Sequence, residues 1–375
     1  MPRGPLTFVF VLVATGALYA TTATAATFDS FIGFGDSEID SGWWAGALKA
    51  NCGPVASPCE TGDTVNSDPK IAAAIANGGT GTAVGVGLMN SQIIATHYGV
   101  TALPANQAGG TNYAISGTMD ARVGSTPGIA NANPNPNLPS TVEQVTTYLT
   151  PSGHADPNAL YVFSSGGNDV SYASSNITGS TAQEAFLSGQ AAALTTAIQT
   201  LQGDGAKTIV VYGLKSSSTL ATYYTSTLFA DLNIASVNYI AADILGLVQS
   251  VQANPSVYGL LTIAPGIAGD SNTPSACVAG AGATGWGQRC ANTTVSSPDY
   301  AHLRDADAEQ TSLYSDDEHF SAAGQLIEAN YVISLIDTAE TPLPPALPLF
   351  ASGLGILGVL CWRRKQKKTT AIAAV

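Results

Sequence analysis

Phe31-Ile32-Gly33-Phe34-Gly35-Asp36-Ser37-Glu38-Ile39-Asp40-Ser41-Gly42 is the stretch on which the reading of this chain turns. Its apolar start has the length and continuity of a buried strand, and the run breaks at Gly35-Asp36-Ser37. Glycine permits a sharp turn, which places Ser37 at the carboxyl end of that strand. In open α/β sheets this is the edge where ligands bind. A serine there is a nucleophile if a base reaches its hydroxyl; otherwise Asp36 and Ser37 simply cap a following helix. The stretch alone leaves both readings open. It is not the G-x-S-x-G elbow, because Ile39 occupies the position of the last glycine.

The same strand-into-turn pattern recurs downstream. Gly109-Gly110-Thr111-Asn112-Tyr113-Ala114-Ile115-Ser116-Gly117-Thr118 reads as a short strand ending in a small-residue turn. Ala159-Leu160-Tyr161-Val162-Phe163 is a strong buried-strand signal that runs into Ser165-Gly166-Gly167-Asn168-Asp169. Thr208-Ile209-Val210-Val211-Tyr212 and Leu260-Leu261-Thr262-Ile263 are further strands. Helical spacing marks residues 84–98, and 141–149, the Ala-rich 181–202, one long or broken helix over 223–253, and 321–338 also read as helices. Strands alternating with helices predict a parallel sheet covered on both faces.

Three of these strand ends carry polar groups with a common logic: the Ser37 hydroxyl, the Gly117 N–H and the Asn168 side-chain amide. Acyl transfer needs N–H donors aimed where a tetrahedral oxyanion forms, a base for the serine, and a group that holds the base in its tautomer. Asp316-Asp317-Glu318-His319, just before the last helix, supplies a D-x-x-H pair for the last two roles, with Asp317 as the other possible carboxylate. His97 near a helix end favours the helix dipole. His154 and His302 read as solvated loop residues.

These four blocks, in this order, resemble the SGNH or GDSL hydrolase superfamily, and Asn254-Pro255-Ser256-Val257-Tyr258-Gly259 resembles a run common in its lipase branch. The likeness spans residues 28–337. It implies a three-layer α/β/α sandwich around a central, mainly parallel five-stranded sheet of flavodoxin-like type. It also implies hydrolysis of carboxylic esters through an acyl-serine, with no metal or cofactor. In that pattern Ser37 is the nucleophile, His319 the general base and Asp316 its orienting partner. The Ser37 N–H, the Gly117 N–H and the Asn168 amide form the oxyanion hole. Glu38 stands where the named motif has leucine, and Phe320 where proline often follows the histidine. The competing class is a non-catalytic envelope or extracellular-matrix protein on the same fold.

The ends of the chain bear on location. Arg3, an apolar run over residues 6–20 and the small residues Ala23-Thr24-Ala25-Ala26 have the order of a secretory signal peptide, assigned to 1–26. Residues 27–340 form the hydrolase domain. Over 341–375, a spacer containing Pro342-Leu343-Pro344-Pro345 leads to an apolar segment at 349–362 and the basic cluster Arg363-Arg364-Lys365-Gln366-Lys367-Lys368. This layout resembles the bacterial PEP-CTERM sorting signal, which implies transient membrane insertion and cutting by an exosortase-like peptidase. The alternative is a permanent single-span anchor. All of this predicts an exported bacterial protein of the envelope or medium.

All 26 acidic residues fall in the domain, against seven cations (Lys49, Lys70, Arg122, Lys207, Lys215, Arg289 and Arg304), a balance of −19. Such a field repels phosphate backbones and argues against nucleic acid as a partner. The expected partner is a lipid, a small acyl ester or an acetylated polysaccharide. Export and short spacing predict Cys52–Cys59 and Cys277–Cys290 disulfides, with Cys361 unpaired. Without nearby histidines these pairs do not read as zinc sites.

Overall fold

The computed structural model of the chain describes residues 26–43, 73–74, 76–121, 138–261, 275–278, 290–316 and 318–340. Residues 1–25 of the signal-peptide assignment, the spacer and tail, Cys52–Cys59, Cys361 and Asp317 lie outside them.

Strand β1 (Ser30–Gly35) opens the fold, and helices α1 (Asn90–His97) and α2 (Thr141–Leu149) precede β2 (Ala159–Ser164). Helices α3 (Gly167–Asn176) and α4 (Ser180–Gly203) then lead to β3 (Thr208–Tyr212). Helix α5 (Thr219–Ile234), β4 (Ile240–Ala242) and α6 (Ile244–Ala253) follow. The described sheet runs β1-β2-β3-β4, every pair parallel. Parallel strands must be buried on both faces, and the side chains alternate accordingly. Ile32, Phe34, Tyr161, Phe163, Ile209 and Val211 pack into one core with residues of α4 and α5. Phe31, Leu160, Val162, Val210 and Tyr212 pack into the other with α6 and the last helix. Three layers are therefore present, as the resemblance implied.

The sheet has four regular strands rather than five. The 111–115 segment lies on the outer side of β1, with Tyr113 and Ile115 N–H donating to the Gly33 and Gly35 carbonyls at 2.8 and 3.0 Å. Its ladder with β1 is reduced to a single parallel bridge, Gly33 to Asn112, so it is an irregular fifth member. The strand expected at 260–263 is not formed at Leu260 or Leu261, and β4 instead interrupts the helix expected over 223–253. Ser236, at φ 57°, marks the break after α5. Because the chain leaves β1 outward to 111–115 and returns inward to β2, the carboxyl end of β1 is a topological switch point, where a crevice opens.

A second sheet, β5 (Cys277–Val278), β6 (Cys290–Ala291) and β7 (Ala301–Leu303), is ordered β5-β7-β6. The Cys277–Cys290 disulfide joins its two outer strands as expected. Helix α7 (Ala308–Thr311) and the long α8 (Ala322–Glu340) complete the domain. Residues 81–87 are bends, and the expected helix start at 84 lies within them rather than in α1. Here Gly87 packs so tightly on α8 that a Cβ would lie 2.3 Å from the Ala322 Cβ. Helix α3, which periodicity did not signal, starts at the Gly-rich turn after β2. No helix among the described residues is long and apolar enough to cross a membrane.

Candidate active site

The turn after β1 is fixed from several sides. Gly35 takes φ 141°, and a Cβ on it would sit 1.7 Å from the Ser164 carbonyl oxygen, so only glycine lets the chain pass. The Gln144 amide on α2 accepts from the Gly35 N–H at 2.8 Å and donates to the Gly35 carbonyl at 3.0 Å. Asp36 donates its N–H to Ser164 O at 3.0 Å, and its carboxylate receives the Glu38 N–H at 3.1 Å. Ser37 is thereby presented at the switch point, 8% exposed, with no hydrogen bond to a described residue.

Asp40, which sequence reasoning did not single out, ties this turn to the next block. One carboxylate oxygen receives the Gly42 and Trp43 N–H groups at 2.9 and 2.8 Å. The other receives the Ser116 N–H and hydroxyl, both at 2.8 Å. Gly117 follows at φ 93°, and its N–H has no partner among the described residues. Asn168, in the first turn of α3, donates its amide to Thr118 O at 2.8 Å and more loosely to Asp36 Oδ2 at 3.4 Å. Burial, with the Glu38 charge adding, pushes the Asp36 carboxyl up to about 8.

The Asp316–His319 pair forms as expected. His319 Nδ1 lies 2.8 Å from Asp316 Oδ2, while the Glu318 and His319 N–H groups donate to Asp316 Oδ1 at 2.9 and 2.5 Å. Burial disfavours the imidazolium, but the Asp316 charge and hydrogen bond, then Glu318 and Glu38, outweigh it and raise His319 to about 9. Burial likewise works against the Asp316 carboxylate, and the His319 charge and these donors still hold it below its usual range. The loop is closed by Ser315 N–H to His319 O at 2.8 Å and by an antiparallel Tyr314–Phe320 bridge. Strand β5 backs it, Cys277 donating its N–H to Ser315 O at 2.7 Å.

A cavity of about 390 Å³ at the carboxyl ends of β1, β2 and β3 is lined by Ser37, Asn168, Lys215, Tyr314 and Glu318, among others. His319 and Gly117 are not among its lining residues, and no hydrogen bond joins Ser37 Oγ to His319. The blocks meet through Glu38, whose carboxylate holds Lys215, and through Lys215, whose Nζ lies 5.0 Å from the Phe320 ring centroid.

The model of the GDSL-like lipase/acylhydrolase family matches residues 32–259. The chain belongs to this family. Its activity is therefore that of a hydrolase acting on esters. The match covers Ser37, Gly117 and Asn168 and ends before Asp316 and His319. No curated protein matches the chain.

In this GDSL-family hydrolase a further buried carboxylate, Glu309, braces the histidine loop. It accepts the Ser315 hydroxyl at 2.7 Å and the Ala322 N–H at the start of α8 at 2.8 Å, and burial raises its proton affinity. Nothing in the sequence marked it, since its partners are contributed by chain segments several residues away. Glu309→Ala leaves both groups without their acceptor, and a loss of about 3 kcal/mol in urea unfolding is expected. Glu309 also converges with Cys277 and Cys290, their ligand atoms within 4.8 Å of one another. Because the two sulfurs are bonded to each other, the cluster offers no thiolate for a metal. His302 is buried on β7 rather than solvated. His154 is exposed, as read.

Proposed function

We propose that the chain is a serine esterase that hydrolyses carboxylic esters through an acyl-enzyme on Ser37. Ser37 Oγ attacks the acyl carbonyl while His319 takes its proton, and Asp316 holds the imidazole with its other nitrogen turned towards the serine. The Ser37 and Gly117 N–H groups and the Asn168 amide receive the oxyanion. His319 then returns the proton to the leaving alcohol, and water repeats the sequence to free the acid. Asp36 holds the second Asn168 amide hydrogen only loosely, at 3.4 Å, and burial weakens its charge further, which leaves that hydrogen to the oxyanion. Substrate binding brings Ser37 and His319 into hydrogen-bond reach, since catalytic hydrogen bonds commonly tighten only in the complex.

The observation that carries this reading is the buried Asp316–His319 pair beside Glu318, which lines one cavity with Ser37 and Asn168. A fluorophosphonate probe is expected to add to Ser37 alone and to abolish ester turnover, with mass spectrometry locating the adduct. An unlabelled Ser37 in folded protein that still turns over esters overturns the assignment.

The raised His319 predicts the pH dependence. Only neutral imidazole accepts the serine proton, so kcat/KM should climb with pH and level off above about 9. Glu318→Gln removes one of the charges that favour imidazolium, so its rising limb should move to lower pH. A wild-type inflection near the ordinary histidine value of about 6.5 would contradict this.

The protein is exported by the segment at 1–26 and reaches the envelope or medium, its tail serving as a transient sorting signal for a membrane peptidase. The 349–362 segment is short for a roughly 30 Å hydrocarbon core, which suits a passing substrate better than a lasting anchor. C-terminal mass spectrometry on envelope and medium fractions is expected to find chains ending near Pro342–Pro345; an intact basic cluster on the stable protein would mean permanent anchoring.

A further inference from the structure

The wall of the cavity carries a charged pair that the catalytic steps do not use. Glu38 takes the position where the family's named motif has leucine, and its carboxylate engages Lys215, which follows β3. Both side chains are largely buried, at 18% and 16% exposure, yet both border the cavity beside Ser37. The Glu38 charge and hydrogen bond overcome the burial that disfavours the ammonium, so Lys215 stays charged. Beyond its bond to Glu38 and its place over Phe320, an ammonium with three donors has capacity left for a ligand. Ser171, Ser174 and Ser216 also line the cavity, together with the apolar Val170, Leu214, Ala221 and Ile244 on its other parts.

A long acyl chain laid along this wall would strip water from the ion pair and the hydroxyls and return no hydrogen bonds. Each polar group so stranded costs about 1–3 kcal/mol. A hydroxyl-bearing ligand replaces the lost water contacts one for one.

Building on the esterase reading, we infer that the Glu38–Lys215 pair is a specificity element that restricts this site to short-acyl esters of polyhydroxylated alcohols, such as acetylated saccharides. The pair acts on substrate choice; because the Glu38 charge also favours imidazolium on His319, its loss shifts the pH limb as well, and preferences are compared on each protein's own plateau.

The test compares the wild type with a double variant, Glu38→Leu with Lys215→Met. Removing both charges together avoids stranding one of them, and apolar replacement of a buried pair is commonly tolerated. Rates are measured on p-nitrophenyl esters of two, four, eight and twelve carbons and on partially acetylated xylo-oligosaccharides, each at the plateau of its own pH profile. The wild type should lose at least tenfold in kcat/KM from the two-carbon to the eight-carbon ester. In the double variant that ratio should rise at least tenfold, while turnover of the oligosaccharide falls at least tenfold more than that of the two-carbon ester. A wild type that prefers eight or twelve carbons overturns the inference and leaves the esterase reading intact. So does a double variant, folded by circular dichroism, whose preferences are unchanged. A wild type inert towards every ester and towards fluorophosphonate overturns both.

Discussion

Ser37→Ala is expected to abolish ester hydrolysis, with turnover falling by about 10⁶, the scale of losing a triad nucleophile. The fold should survive the change. The Ser37 hydroxyl makes no hydrogen bond to a described residue, and the turn is held by Gly35, Gln144 and the Asp36 backbone instead. A normal circular dichroism spectrum and an unchanged thermal midpoint should therefore accompany the loss. His319→Ala should cost a similar factor, because nucleophile and base work as one unit and their effects do not add. A folded Ser37→Ala protein with near-wild-type turnover would remove the nucleophile assignment and the acyl-enzyme with it.

Asp316→Asn should lower turnover by about 10⁴, through the tautomer and orientation of His319. Asp316 spends both oxygens on the loop: Oδ2 on the imidazole Nδ1, and Oδ1 on two backbone N–H groups. An asparagine keeps one acceptor and turns the other into a donor, so either the imidazole or the backbone pair loses its partner. Loss of the Asp316 charge also removes the chief stabiliser of imidazolium, so the residual activity should show its pH limb below that of the wild type. Asp317→Asn, by contrast, should have a small effect. Steady-state kinetics of the two variants side by side decide between the carboxylates, and the reverse ranking would transfer the orienting role to Asp317.

Much of this site was legible because its signals are local. Gly35, Asp36 and Ser37 are adjacent, Asp316 and His319 are three residues apart, and each block follows a run whose apolar continuity marks a buried strand. The oxyanion candidates were readable for the same reason, each on a small-residue turn at the end of such a run. The short β4 was not, because three residues carry no period of their own and lay within a span that read as helix. Helix α3 was hidden by the small polar residues that fill its exposed face. His302 was misread because a three-residue strand and the disulfide-linked sheet around it, rather than its own neighbours in sequence, bury it.

Local order along the chain was enough to determine a parallel α/β sandwich and to mark Ser37, Gly117, Asn168, Asp316 and His319 as candidate site residues. Tertiary structure alone decided which distant groups complete that edge. Gln144 reaches Gly35 across 109 positions, Lys215 reaches Glu38 across 177, and Glu309 locks the histidine loop to the start of α8. A buried hydrogen bond or ion pair depends on where the fold places two side chains and on the water it excludes from them. Neither quantity is carried by spacing along the chain, so the Glu38–Lys215 pair in the cavity and the raised His319 became visible only once the strands were laid side by side.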